Sequence, residues 1–337
     1  MSEEAARKRR LALEAAGGRL VTSRPADVRW LLCGRGRPVD AAAPSSPYTV
    51  VLDADSARVL YQDIERSRVE AEEGWEELGY APEPYPWFEG HGLEQTPPVL
   101  EELRRELGGE ELERYRAAGR DAADAMRATL EALAPELSER EAAAELARQA
   151  RLRGFFPPVV LVGGEQRQPL HRHPLPTGAQ LGRQALLAMT AEREGLHVSL
   201  TRLVSFGPPL EELARLVGAC AEVDAAFLGA SRPGAALGEV FAVGERAYAE
   251  QGFEGEWRRH HQGGLTGYRG REVFGTPGEP AVIAAAGAVA WNPSIAGGAK
   301  SEDTALVTAE GVEVITRTPD LGELETTGVA RPAIVTL

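Results

Sequence analysis

Two rhythms of apolar residues run along this chain. Over residues 2–18, 109–133, 138–154, 209–230 and 236–252, small or apolar residues recur every three or four positions, the spacing that lines one helix face. Ser2 followed by Glu3 and Glu4 opens the first of these and Gly17-Gly18 closes it. Ser138 and Glu141 open the third as a capping box, each side chain satisfying the other's free amide. Residues 63–79 and 96–107 also read as helical, the latter with prolines at its start. Short apolar runs bounded by Gly, Pro, Asp and Ser read as strands at 19–22, 28–34, 48–53, 58–61, 155–164, 184–193, 195–207, 281–292 and 311–318.

The order of these elements predicts two domains. Residues 1–96 form a small α/β unit, and "APEPYPWFEGHG" (81–92), rich in Pro and aromatics, is the linker candidate. Residues 97–337 start with helices and continue as strands interrupted by two further helices, which is an α+β pattern rather than a doubly wound sheet.

Composition changes the picture mainly by exclusion. A chain of 337 residues with 43% hydrophobic and 26% charged residues is an ordinary globular composition. Its net charge of −14 argues against a nucleic-acid partner, whose phosphates would be repelled. The run Arg7-Lys8-Arg9-Arg10 reads as a solvated helix face. No stretch has the length and apolarity of a signal peptide or membrane span, so no membrane partner and a cytoplasmic location are expected. Cys33 and Cys220 are far apart and read as buried apolar thiols.

The chemistry emerges from ordered fragments: "HRHPLPT" (171–177), "EGLHVSLTRLV" (194–204), "HHQGGLTGYRGRE" (260–272) and "AWNPSIAGGAKSEDTALVT" (290–308), with "ADVRWLLCG" (26–34) before them. Together they resemble the motif series of the pita-bread peptidases, the M24 family that holds aminopeptidase P, prolidase, methionine aminopeptidase and creatinase. The resemblance implies a pita-bread fold with a smaller N-terminal creatinase-type domain, and a homodimer by family habit. It also implies five metal-ligand positions, which here fall on Ala188, Ser199, Gly264, Asn292 and Glu302. Ala188 and Gly264 carry no ligand atom, Ser199 and Asn292 carry neutral ones, and one carboxylate does not hold two dications. Neither a metal nor another cofactor is therefore expected.

Carried over from the same resemblance, His173 and His260 match substrate-contacting histidines, and Arg271 takes the place of the histidine in the family's His-Glu pair. Creatinase supplies the precedent of metal-free C–N hydrolysis on this fold. The expected catalytic groups are His173 as acid/base, His260 as its proton or hydrogen-bond partner and Glu302 to orient or grip. His261, Arg271, Glu272, Asn292, Lys300 and Ser199 are the substrate-binding candidates, with Arg271 and Lys300 suited to an anionic group. Adjacent on an extended chain, only one of His260 and His261 is expected to face the pocket, whereas Lys300 and Glu302 are expected to share a side. The expected ligand is a small amide, a dipeptide-like molecule or another C–N compound. Two alternatives stand beside this one: a non-catalytic scaffold whose acidic surface meets a basic partner, and a conventional Xaa-Pro metallopeptidase. In the bland version, Lys300 and Glu302 are an ion pair that fills space.

Overall fold

The computed structural model describes residues Ser2–Leu337. Packing divides them into two compact units, one running to Glu111 and taking in Glu194–Leu196, the other comprising Leu112–Arg193 and His197–Leu337. Residues 97–111, assigned from the sequence to the second domain, lie in the first unit.

In the first unit, helix α1 (Glu3–Ala15) is capped by Ser2, whose hydroxyl accepts from the Ala5 amide at 3.2 Å. Its basic run is not a solvated face. Lys8 is fully buried, with Glu4 at 2.6 Å and Glu111 at 2.8 Å. Four residues from Glu4 and three from Ala5, it sits on the inner face of the helix, where only paired charge is tolerated. The predicted strand 28–34 is instead the second half of helix α2 (Pro25–Leu31) and the turn that follows it. Pro25 presets the first turn, and the contiguous run Trp30-Leu31-Leu32 is wholly buried, which hides the helical period.

The sheet of this unit has the order β1 (Leu20–Thr22), β2 (Thr49–Asp53), β3 (Ser56–Gln62) and β4 (Ala81–Tyr85). The first three strands are antiparallel, and β4 joins β3 in parallel. β4 comes from the segment read as a linker. An edge strand tolerates Pro82 and Pro84, because amides facing outward are not needed. Residues 63–79 form short helical turns rather than one helix, interrupted by Gly74 at φ 57°. Within 96–107 only Leu103–Arg105 makes a helical turn, since Pro97 and Pro98 remove donors. Cys33 is half-buried rather than buried; Cys220 is buried.

The second unit contains helix α3 (Gly109–Leu130) from Leu112 onward and helices α4 (Glu139–Leu152), α5 (Glu211–Ala230) and α6 (Leu237–Glu250). The Ser138–Glu141 capping box forms as expected. One sheet pairs β5 (Phe156–Gly164), β6 (Gln184–Arg193) and β7 (Leu196–Ser205), with the short β17 (Val335–Thr336) on the β7 edge. The other has the order β14 (Gly311–Val314), β13 (Asp303–Thr308), β10 (Gly287–Trp291), β8 (Gly263–Thr266) and β9 (Val273–Phe274). Of the predicted strand 281–292 only Gly287–Trp291 enters this sheet; Ala281 and Ile283 bond instead to the backbone of Leu237 and Gly234. Two small hairpins, β11 (Ser294–Ile295) with β12 (Ala299–Lys300) and β15 (Glu323–Leu324) with β16 (Arg331–Pro332), complete the unit. The α+β expectation holds. A core of Leu161, Val223, Phe241, Val307 and neighbours joins helices to sheets. In it Phe227 stacks on Trp291 at 4.6 Å, and the indole N–H donates to the Ser231 hydroxyl at 2.9 Å.

Alternation along β7 sets the site. Arg202 faces one way into a buried ionic knot, reaching Asp303 at 2.9 Å, while Arg331 joins Asp303 and Asp224 at 2.7 Å each. Ser199 and Thr201 face the other way, and the Thr201 amide donates to the Glu302 carbonyl at 3.0 Å, bridging the two sheets.

Candidate functional site

A cavity of about 560 Å³ opens where β5, β6, β7 and β12 meet the segments that carry His173, His261, Arg271 and Asn292. Val159, Leu161, Leu175, Met189 and Phe274 form an apolar wall, and Arg271, Lys300 and Glu302 are the charged groups that line it. Thr190, His197 and Asn292 complete the polar side.

Glu302 is the hub. One carboxylate oxygen accepts from Arg271 Nη2 at 3.0 Å; the other accepts from the Thr201 hydroxyl at 2.8 Å and faces Lys300 Nζ at 3.4 Å. All three charged side chains are buried, at 10% (Arg271), 4% (Lys300) and 6% (Glu302) exposure. Burial alone would raise the Glu302 carboxyl; Lys300, Arg271 and then the Thr201 hydroxyl outweigh it and leave it below the ordinary carboxylate value. Lys300 and Glu302 share a face, as the sequence predicts. Two cations against one anion leave this group a net positive charge.

Three imidazoles gather beside it. His260 Nε2 lies 2.9 Å from His173 Nε2, and the His260 and His261 rings stack at 4.5 Å. Of these neighbours only His261 lines the cavity, although the two rings stack. Strict alternation belongs to a paired strand, and β8 begins only at Gly263. Burial first, then the positive charge of Lys300, hold His260 at about 2; burial, then Arg271, hold His261 at about 4. His173 is also lowered, by burial and then by Lys300. All three are neutral at pH 7.

Among the described residues this trio is the one group of three or more His, Cys, Asp or Glu side chains whose ligand atoms lie within reach of one ion, all within 4.8 Å of one another. The field of Lys300 and Arg271, which keeps protons off these rings, opposes a dication as well.

The neutral histidines give the fold a pH signature. In the unfolded chain His260 takes up a proton near its ordinary value of 6.5; in the folded chain it does so only near 2. Stability is therefore flat above that range and falls as pH drops through it, by at most about 1.4 kcal/mol per pH unit for the buried His260; the exposed His173 and His261 add less, because solvent screens them. Urea unfolding at pH 7 and at pH 5.5, still above the ordinary carboxylate range, should show a lower unfolding free energy at pH 5.5. His260→Gln should flatten the slope.

Not every candidate reaches the cavity. His173, His261, Arg271, Asn292, Lys300 and Glu302 line it. His260 lies behind His173, Ser199 touches Arg271 Nη1 at 3.4 Å from outside the wall, and Glu272 is not on the wall at all. The Glu272 amide instead donates to the Leu265 carbonyl at 2.8 Å, which fixes its place beside β8 and β9. His197 was missed, although it shares the alternation of Ser199 and Thr201 along β7.

Three buried polar atoms at this site have no hydrogen-bond partner: Arg271 Nε, Asn292 Oδ1 and His260 Nδ1. Of the five positions matched to metal ligands, Ala188 and Asn292 line the cavity beside Glu302, and the Ser199 hydroxyl bonds to Thr190 at 2.9 Å. Gly264 adopts φ 144°, and a Cβ there would meet the Val273 carbonyl at 2.2 Å, so this backbone has no room for a histidine side chain.

A family model, that of metallopeptidase family M24, matches residues 113–309. An uncharacterized peptidase of Staphylococcus aureus (strain MW2) is 25% identical over 228 residues, 65% of this chain and 64% of that protein. The match thus spans just under two thirds of the curated relative's length. Among solved structures, the dipeptidase PepE from Mycobacterium ulcerans superimposes with a TM-score of 0.73 at 18% identity, covering 99% of this chain and 98% of that one. The prolidase from Pyrococcus furiosus gives 0.73 at 19% identity, covering 92% of this chain and 99% of its own. These likenesses identify the fold.

Proposed function

Because this chain belongs to metallopeptidase family M24, we propose that it binds and hydrolyses a small amide, dipeptide-like or other C–N compound in this cavity, without the metal pair that the family name implies. The observation that carries the reading is the replacement of a carboxylate cradle by two cations closed on one carboxylate. Arg271 and Lys300 occupy both oxygens of Glu302, the one acidic group among the five matched positions. The donor set does not fit two divalent ions: Ala188 has no ligand atom, and the other matched side chains are a hydroxyl already bonded to Thr190 and a neutral amide. The structural neighbours, a dipeptidase and a prolidase, support a small C–N substrate.

In this reading His173 is the base. Neutral at pH 7 and hydrogen-bonded to His260, it takes a proton from water as the water oxygen adds to the acyl carbon. The imidazolium then returns that proton to the departing nitrogen as the C–N bond breaks, so the products are an acid and an amine. His260 holds the His173 ring. Arg271 and Lys300 anchor the ligand's anionic end, and Glu302 fixes both cations.

Turnover measured in a chelating buffer tests this. Activity should survive chelation, hold level from pH 7 to 8 and fall on an acid limb below the ordinary imidazole value, because His173 is lowered by burial and by Lys300. Activity that vanishes with chelator and returns with manganese, cobalt or zinc contradicts it.

A further inference from the structure

We infer that the cavity selects an N-acylated amino acid: a molecule with one free carboxylate, one amide N–H and an apolar body, and no free ammonium group. This deepens the proposal above and rests on the same cavity being the ligand site. The cavity presents three unmet demands on one molecule.

The first is charge. Arg271 and Lys300 outnumber Glu302 among the Asp, Glu, Lys and Arg side chains that line the pocket, and the His173 and His261 imidazoles are both lowered, so a monoanion completes the balance. Arg271 Nε is a buried donor without an acceptor, and its other nitrogens already serve Glu302, the Gly270 carbonyl and Ser199. A carboxylate supplies what Arg271 and Lys300 lack.

The second is a donor. Asn292 is 2% exposed, and its Oδ1 has no partner. A ligand N–H answers it; the tertiary amide of a prolyl compound has none.

The third is apolar surface. Leu161, Met189 and Phe274 form a wall that a hydrocarbon side chain covers. The same cations that attract a carboxylate repel the ammonium of an unblocked dipeptide. The pocket therefore separates N-blocked acids from zwitterions that are otherwise alike.

Four probes isolate the demands in calorimetric titrations with chelator present. N-acetyl-L-leucine meets all three. Glycyl-L-leucine adds an ammonium, N-acetyl-L-leucinamide removes the charge, and N-acetyl-L-proline removes the N–H. N-acetyl-L-leucine should bind at least about tenfold more tightly than each of the others, since a site built on polar groups discriminates strongly when they are left unmet. Asn292→Leu should erase the preference over N-acetyl-L-proline and keep the preference over the leucinamide. Lys300→Met, with folding checked by thermal melting, should weaken N-acetyl-L-leucine and N-acetyl-L-proline at least tenfold. Equal or tighter binding of the dipeptide or the leucinamide, or no binding of any probe, overturns the inference. Tight N-acetyl-L-leucine binding without hydrolysis leaves it standing and removes the proposed catalysis instead. Hydrolysis of the zwitterion with weak N-acetyl-L-leucine binding does the reverse.

Discussion

Replacing Glu302 with glutamine should destabilise the folded chain by about 3–5 kcal/mol, because it leaves buried charge without its partner. Arg271 and Lys300 both close on this carboxylate, and their side chains are 10% and 4% exposed. Glutamine keeps the volume and one acceptor for the Thr201 hydroxyl, so the loss is electrostatic rather than a cavity effect. The sign matters more than the size. In a metal-free cradle of several carboxylates, neutralising one relieves like-charge repulsion and stabilises the fold. Urea unfolding in chelating buffer reads that sign directly, and the double substitution Glu302→Gln with Lys300→Met should recover part of the loss.

The second large effect falls on His173. His173→Ala should lower kcat/KM for a hydrolysed substrate by about 10²–10⁴-fold, the usual contribution of a positioned acid/base. The side chain borders the cavity and is 2.9 Å from His260 Nε2, so its removal also frees a nitrogen of a buried ring. Two controls separate chemistry from structure. His173→Gln keeps a hydrogen-bonding group toward His260, restores thermal stability and stays inactive. Added imidazole partly restores turnover to the alanine variant. A scaffold without catalysis predicts no turnover in the native chain, and a partner interaction that responds to surface charge but not to His173.

The fold was legible where a helix had both a period and punctuation. Ser2 with Glu3 and Glu4, and Ser138 with Glu141, mark helix starts that the structure reproduces. Legibility failed where tertiary context overrode local signals. Helix α2 buries a continuous apolar run that has no visible period, and β4 carries two prolines that only an edge position permits. Lys8 reads as solvated until Glu111, more than a hundred residues away, is packed against it.

The site divides the same way. The ordered motifs and the two-residue spacing of Lys300 and Glu302 placed those side chains together correctly. Glu272, one position from Arg271, carried the same motif signal but lies off the cavity wall. The stacking of His260 on His261 depends on a turn outside β8, and the unpartnered oxygen of Asn292 is a property of its surroundings alone. Residue types gave the missing carboxylates; only the packing shows that Gly264 has a backbone into which a side chain does not fit.

In the proposed metal-free reading, Arg271 and Lys300 close on Glu302, the one acidic group among the five positions matched to metal ligands. Metal content measures that most directly: native chain and the Glu302→Gln variant, each equilibrated with manganese, cobalt or zinc, desalted and analysed for bound ion. Far less than one ion per chain is expected in both proteins, with no dependence on Glu302. A pair of ions per native chain, lost in the variant, would contradict it.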